Sequence, residues 1–126
     1  MPVEYDIDRH SRLVRMRSMP RLTVAEVTNA IDRRQRDRVW RYGVLVDVRM
    51  TALPPSDVQM AVQHLSELVV QYGRCGPMGF VAQRATEVAS TQIFAVRSQR
   101  LGIPMQMFFE TQDAEAWLGR LLRSGG

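Results

Sequence analysis

The residues with the most chemistry to offer follow the apolar runs of this chain at their carboxyl ends. Asp47 and Arg49 come after Val44-Leu45-Val46, Gln83 and Arg84 after Met78 to Ala82, and Glu110 and Thr111 after Pro104 to Phe109. Open α/β sheets bind ligands at such strand ends, so these six side chains are expected to converge along one edge, where a small polar ligand would sit. The plainer reading is that Asp47 accepts backbone amides from its own loop, while Arg49 pairs with it or with Glu110. General acid–base catalysis needs two carboxylates in separated environments, and the sequence singles out no such pair.

Ser56 is the candidate phosphoacceptor. A phosphate there would add about −1.5 to −2 charges beside exposed helix amides, an anion-friendly place. Ser56-Asp57-Val58-Gln59 also reads as a capping box, whose cap is worth about 1 kcal/mol. The two roles are compatible. Arg33, Arg34, Arg36, Arg38 and Arg41, with Trp40 and Tyr42 nearby, form the densest basic segment. Arginine with aromatics can grip phosphates and stack on bases. Asp32 and Asp37 interrupt it, however, and a basic last helical turn reads as a solvated face, so nucleic acid is not the expected partner.

All 17 basic residues are arginine, which gives a net charge of +4 and removes every chemistry that needs a lysine. A phosphate-loop lysine, a Schiff base and a pyridoxal-phosphate anchor are excluded. His10, His64 and Cys75 are too scattered for a structural zinc, so no metal or cofactor is expected. Cys75 lacks a neighbouring histidine and reads as an ordinary thiol. Gly73, Gly76 and Gly79 precede a strand, where a dinucleotide fingerprint would link a strand to a helix.

The elements that must position these residues follow from periodicity. Val3 to Ile7 and Leu13 to Arg17 alternate as an antiparallel hairpin around Asp8-Arg9-His10-Ser11. Thr23 and Glu26 make a capping box for a helix to about Arg36, with Val27, Ala30 and Ile31 inward. Gly43 to Val48 is a β-branched run with no polar face, hence a strand covered on both sides. A helix from about Asp57 to Tyr72 carries Val58, Ala61, Val62, Leu65, Leu68, Val69 and Tyr72 as one stripe, and Gly73 ends it. Met78 to Ala82 is a short strand. Ala85 to Arg100 reads as a helix with Val88, Ala89, Ile93 and Val96 inward, which leaves Phe94 for a contact outside the monomer. Pro104 to Phe109 is the last strand, and Thr111 caps a helix with Ala114, Trp117, Leu118 and Leu121 on one face. Met50, Met60, Met78, Met105 and Met107 supply soft apolar surface for core or dimer.

That order, with Leu45-Val46-Asp47-Val48-Arg49 and the closing Phe108-Phe109-Glu110-Thr111-Gln112-Asp113-Ala114-Glu115-Ala116-Trp117-Leu118, resembles the SpoIIAA-like (STAS/SEC14-type) bacterial domains over nearly the whole chain. The resemblance implies an α/β fold: a mixed sheet with an N-terminal antiparallel hairpin, then parallel β-α units, and helices mainly on one face. It also implies kinship with anti-sigma-factor antagonists and lipid-binding SEC14 relatives. The antagonists carry an Asp-Ser-Ser-Gly motif at the helix start after the core strand. Here Arg49 to Asp57 keeps only Ser56 near the equivalent place.

The expectation is one domain over 1–126 with a frayed tail at 124–126. One cysteine, no basic-then-apolar leader and no apolar run near the roughly 18 residues of a membrane span point to the cytoplasm. The function expected is non-enzymatic: an interaction or regulatory domain, homodimeric, contacting a protein partner through Asp47, Arg49, Ser56, Asp57, Arg84 and Glu110. The alternative is a small apolar ligand or a lipid, which requires an apolar cavity opened by a helix such as Ala85–Arg100. An enzyme would require convergent carboxylates near Asp47 and Glu110.

Overall fold

The structure, a computed structural model, describes residues 3–50 and 53–124. Its elements run β1 (Val3–Asp8), β2 (Leu13–Ser18), α1 (Val24–Arg36), β3 (Gly43–Asp47), α2 (Pro55–Tyr72), β4 (Met78–Val81), α3 (Ala85–Arg97), β5 (Met105–Phe108) and α4 (Thr111–Ser124), with a 3-10 turn at Gln99–Leu101. The five strands form one sheet in the order β1-β2-β3-β4-β5. β1 pairs antiparallel with β2, and the other three pairings are parallel. The fold expected from the sequence is the fold observed. Of the expected tail, Gly125 and Gly126 lie outside the described residues and Ser124 closes α4.

Topology decides which face each helix covers. Strands β2 to β5 follow one another in space as in sequence, so crossovers of one hand place α1, α2 and α3 on the same face. There Val14, Met16, Val44, Met78 and Phe80 from the sheet meet Ile31 of α1 and Leu65 of α2 in the main core. The last helix follows the last strand and is free to cross under. α4 packs Ala114 and Leu118 on Leu13, Leu45 and Val81 of the opposite face. The approach is close at Gly43, where a Cβ would stand 3.2 Å from Leu122. α4 leaves β1 and the Arg17 end of β2 on this face to water, where Arg17 pairs with Glu4 at 2.8 Å, while Arg15 at the edge of the covered part reaches Glu115 of α4 at 2.7 Å. The alternation seen in the hairpin sequence thus has its cause in a half-covered face.

Three local expectations fail, each for an identifiable reason. α2 begins at Pro55 with Pro54 as its N-cap, and no side chain caps it. Proline at the first helical position is pre-set in φ and gives up an amide that would be unpaired anyway, so it outcompetes the serine cap. Ser56 therefore lies inside the first turn. In α3 the buried face holds Glu87 and Thr91, while Val96 is 65% exposed. Phe94 packs into the core edge-on to Phe80, with ring centroids 5.6 Å apart, and makes no case for an outside contact. An aromatic ring buries more area than Ala89 or Val96 would, and it sets the helix rotation. Finally, α4 starts at Thr111 itself, and Glu110 supplies the carbonyl that accepts from the Ala114 amide.

Candidate functional site

The three crossover helices do not close fully on the sheet. Between them lies an apolar cavity of about 120 Å³, walled by Met16, Val46 and Phe80 from the sheet, Ile31 from α1, Ala61 from α2 and Phe94 from α3. Its origin is local: Ala30 and Ala61 occupy stripe positions where longer side chains would fill the space. Three of the polar residues in the wall, Ser18, Ser90 and Glu87, are engaged by the protein. Ser18 Oγ donates to the Asp47 carbonyl at 3.1 Å, and Ser90 Oγ donates to the Leu53 carbonyl at 2.9 Å. Glu87, only 3% exposed, accepts the Gln83 and Arg84 amides on Oε1, each at 3.1 Å. Ser18, Val48 and Leu53 place the cavity beneath the carboxyl ends of the strands. An engineered cavity of about 150 Å³ with a Leu/Ile/Phe lining stays dry and takes up benzene or xenon. This one is of the same order in volume and likewise apolar, though only partly enclosed.

The strand-end residues expected to converge do so in part. Asp47, Arg49 and Thr111 share a shallow groove on the α4 side with Glu4, Arg15 and Arg17. Asp47 Oδ1 accepts from the Arg49 amide and from Nε, both at 3.0 Å, and Oδ2 accepts from Nη2 at 2.7 Å. Burial pushes the Asp47 carboxyl up, but the hydrogen bonds and charge of Arg49 outweigh it and leave the group below its ordinary value. Both oxygens of Asp47 are thus committed to its own loop. Gln83 Nε2 donates to the Phe109 carbonyl at 3.0 Å and ties two loops together. Glu110 is exposed, and the Arg84 side chain is 79% exposed above Glu87. Ser56 is exposed and Asp57 half-buried, on the first turn of α2.

The basic segment is less available than its composition suggests. Arg34 continues the inner stripe of α1 and is 1% exposed, with Nη2 donating to the Trp40 and Tyr42 carbonyls. Its Nε and Nη1 have no protein partner. Trp40 is buried and gives its indole N–H to the Gly73 carbonyl at 2.9 Å, so it cannot stack on a base. The solvated-face reading fails at Arg34 and Trp40. A residue three positions after Ile31 falls on the same face whatever its charge, and that spacing was the available signal. Cys75 is buried beside Arg34; burial pushes its thiol up, and the nearby guanidinium only partly reverses this. His64 Nε2 lies 2.7 Å from Asp32 Oδ1 and joins α2 to α1. Among the described residues, no group of three or more His, Cys, Asp or Glu is placed to hold a metal, and no helix is long and apolar enough to cross a membrane.

No family model, curated protein or solved structure matches this chain.

Proposed function

We propose that this chain is a non-catalytic binding domain of SEC14-like type whose ligand is a small, neutral, apolar molecule. The observation that carries this reading is the cavity beneath α1, α2 and α3. Its wall is hydrocarbon where a ligand would touch it, and the Ser18 and Ser90 hydroxyls beside it already have partners. Size narrows the class to a single ring or a short chain. A long acyl chain would need α3 to swing away from the sheet. The strand-end cluster offers no free carboxylate at Asp47, because Arg49 occupies both of its oxygens.

The test is a titration with toluene followed by thermal unfolding. A ligand that binds only the folded state at a concentration 100 times its Kd stabilises it by about 2.7 kcal/mol. Ala61→Leu fills the cavity from α2 and should abolish the toluene shift. An unshifted wild-type transition at saturating toluene would count against the reading.

A second reading is favoured by one observation, the exposed Ser56 in the uncapped first turn of α2. On it, the chain acts in the cytoplasm through protein contacts at Arg49 to Asp57, switched by phosphate on Ser56. Exposed Met60, Val70 and Val96 on the outer faces of α2 and α3 would serve a homodimer. Intact-mass mapping of protein from its own cells, with sedimentation equilibrium, tests this: unmodified Ser56 in a strict monomer would remove it.

A further inference from the structure

We infer that the end of the sheet opposite the cavity docks the phosphate backbone of duplex nucleic acid, through a rim of loop arginines. This goes beyond the ligand reading above and does not rest on it. The cavity lies beneath the carboxyl ends of the strands, whereas the loops that enter β2, β3, β4 and β5 meet at their amino ends. Main-chain hydrogen bonds lace these loops side by side. The Gly43 amide donates to the Arg12 carbonyl at 3.0 Å, the Gly76 amide to Trp40 at 3.1 Å, and the Met78 amide to Pro104 at 2.9 Å. The rim carries Arg9, Arg12, Arg38, Arg41, Arg74 and Arg100, all exposed. Among the described residues none of these pairs with a carboxylate. Asp37, the carboxylate that these loops contain, is engaged by Arg33 at 3.3 Å.

Helix ends do not account for the rim. Cations suit the last turn of a helix, where Arg36, Arg97 and Arg123 are placed, but the rim arginines sit in turns and connections. Arg12 at φ 55° and Arg38 at φ 62°, like Arg21 outside the rim, hold the left-handed conformation that glycine adopts at less cost. Strain of this kind is kept where function needs the side chain. The run from Arg33 to Arg41 gives the rim only Arg38 and Arg41, and the rest comes from segments far apart in sequence. The partner follows from what the loops lack. They expose no large apolar side chain of the kind a bilayer-docking surface inserts. Trp40 is buried and Tyr42 half-buried, which leaves no stacking platform for unpaired bases. Neighbouring strands lie about 4.8 Å apart, so the rim runs about 19 Å from β1 to β5. That length spans the roughly 12 Å major groove from one phosphate strand to the other.

The test is fluorescence anisotropy of a labelled DNA duplex of mixed sequence, titrated with the wild-type chain between about 50 and about 200 mM salt. With one phosphate neutralised per rim arginine, affinity should fall about a thousandfold over that range. Arg12→Gly combined with Arg38→Gly removes two charges and relieves both left-handed residues, so the chain should stay folded. In that variant the slope of log affinity against log salt should flatten by about 1.8. An unchanged slope, with the duplex still bound, would overturn the rim as the site. The single strand of the same sequence and vesicles rich in phosphatidylserine are the competing probes. Binding to either as tight as to the duplex, or no duplex binding at about 50 mM salt, would overturn the inference and leave the toluene titration to decide the cavity by itself.

Discussion

A carboxylate at the end of a central strand serves either a ligand or its own loop, and at Asp47 three donors from Arg49 commit it to the loop. The pH dependence of stability carries the signature. Burial raises the Asp47 pKa, the Arg49 hydrogen bonds lower it further, and the folded value falls below the ordinary 3.8. A depressed carboxyl contributes its full stability above the unfolded value and loses it as pH falls through the folded one. Asp47→Asn should therefore cost about 1–3 kcal/mol from pH 7 down to about pH 4, with a difference that shrinks on further acidification. Urea unfolding across that range measures it; a difference independent of pH would contradict the assignment. At this scale the sequence was legible where a residue's partner is local. The Asp47–Arg49 pairing is two residues apart and was readable. Arg34 was not, because charge argues for solvent while its spacing from Ile31 argues for the core, and tertiary packing chose the spacing.

The elements repeat the lesson with caps and faces. Thr23 and Glu26 form the reciprocal capping box that their spacing announces, with Glu26 Oε1 2.8 Å from the Thr23 amide. Ser56 and its neighbours carry a similar signature and form no cap, because Pro54-Pro55 start α2 earlier. Thr23→Ala should thus destabilise the fold by about 1 kcal/mol, while Ser56→Ala stays within about 0.5 kcal/mol of wild type. Equal losses in denaturant unfolding would restore Ser56 as a cap. The stripe of α2 was legible because it is long and aliphatic. That of α3 was not, since its inward face is Glu87, Thr91 and Phe94. A polar face is buried only when the fold supplies partners such as the Gln83 and Arg84 amides, and periodicity of apolar residues does not register it.

The whole molecule owes its binding space to topology. A sheet whose parallel strands are laid down in sequential order puts three helices on one face, and the fourth takes the other. The hairpin and the parallel β-α units could be read from the order of nine segments, and helices mainly on one face from the family resemblance, while the spatial strand order and the place of α4 came from the structure. The cavity could not, because it is made by what is missing at Ala30 and Ala61, and alanine in a helical stripe looks like ordinary core. The Asp47 groove lies on the α4 side of the sheet and the cavity on the other, so the strand ends serve two different surfaces. The sequence merges these into one edge. The most direct measurement is a crystal structure of the chain under xenon pressure, since xenon enters apolar cavities of this size and avoids hydrated ones. The account predicts a xenon peak between Ala61, Phe80 and Phe94. Ordered, hydrogen-bonded water at that place, with no xenon, would contradict it.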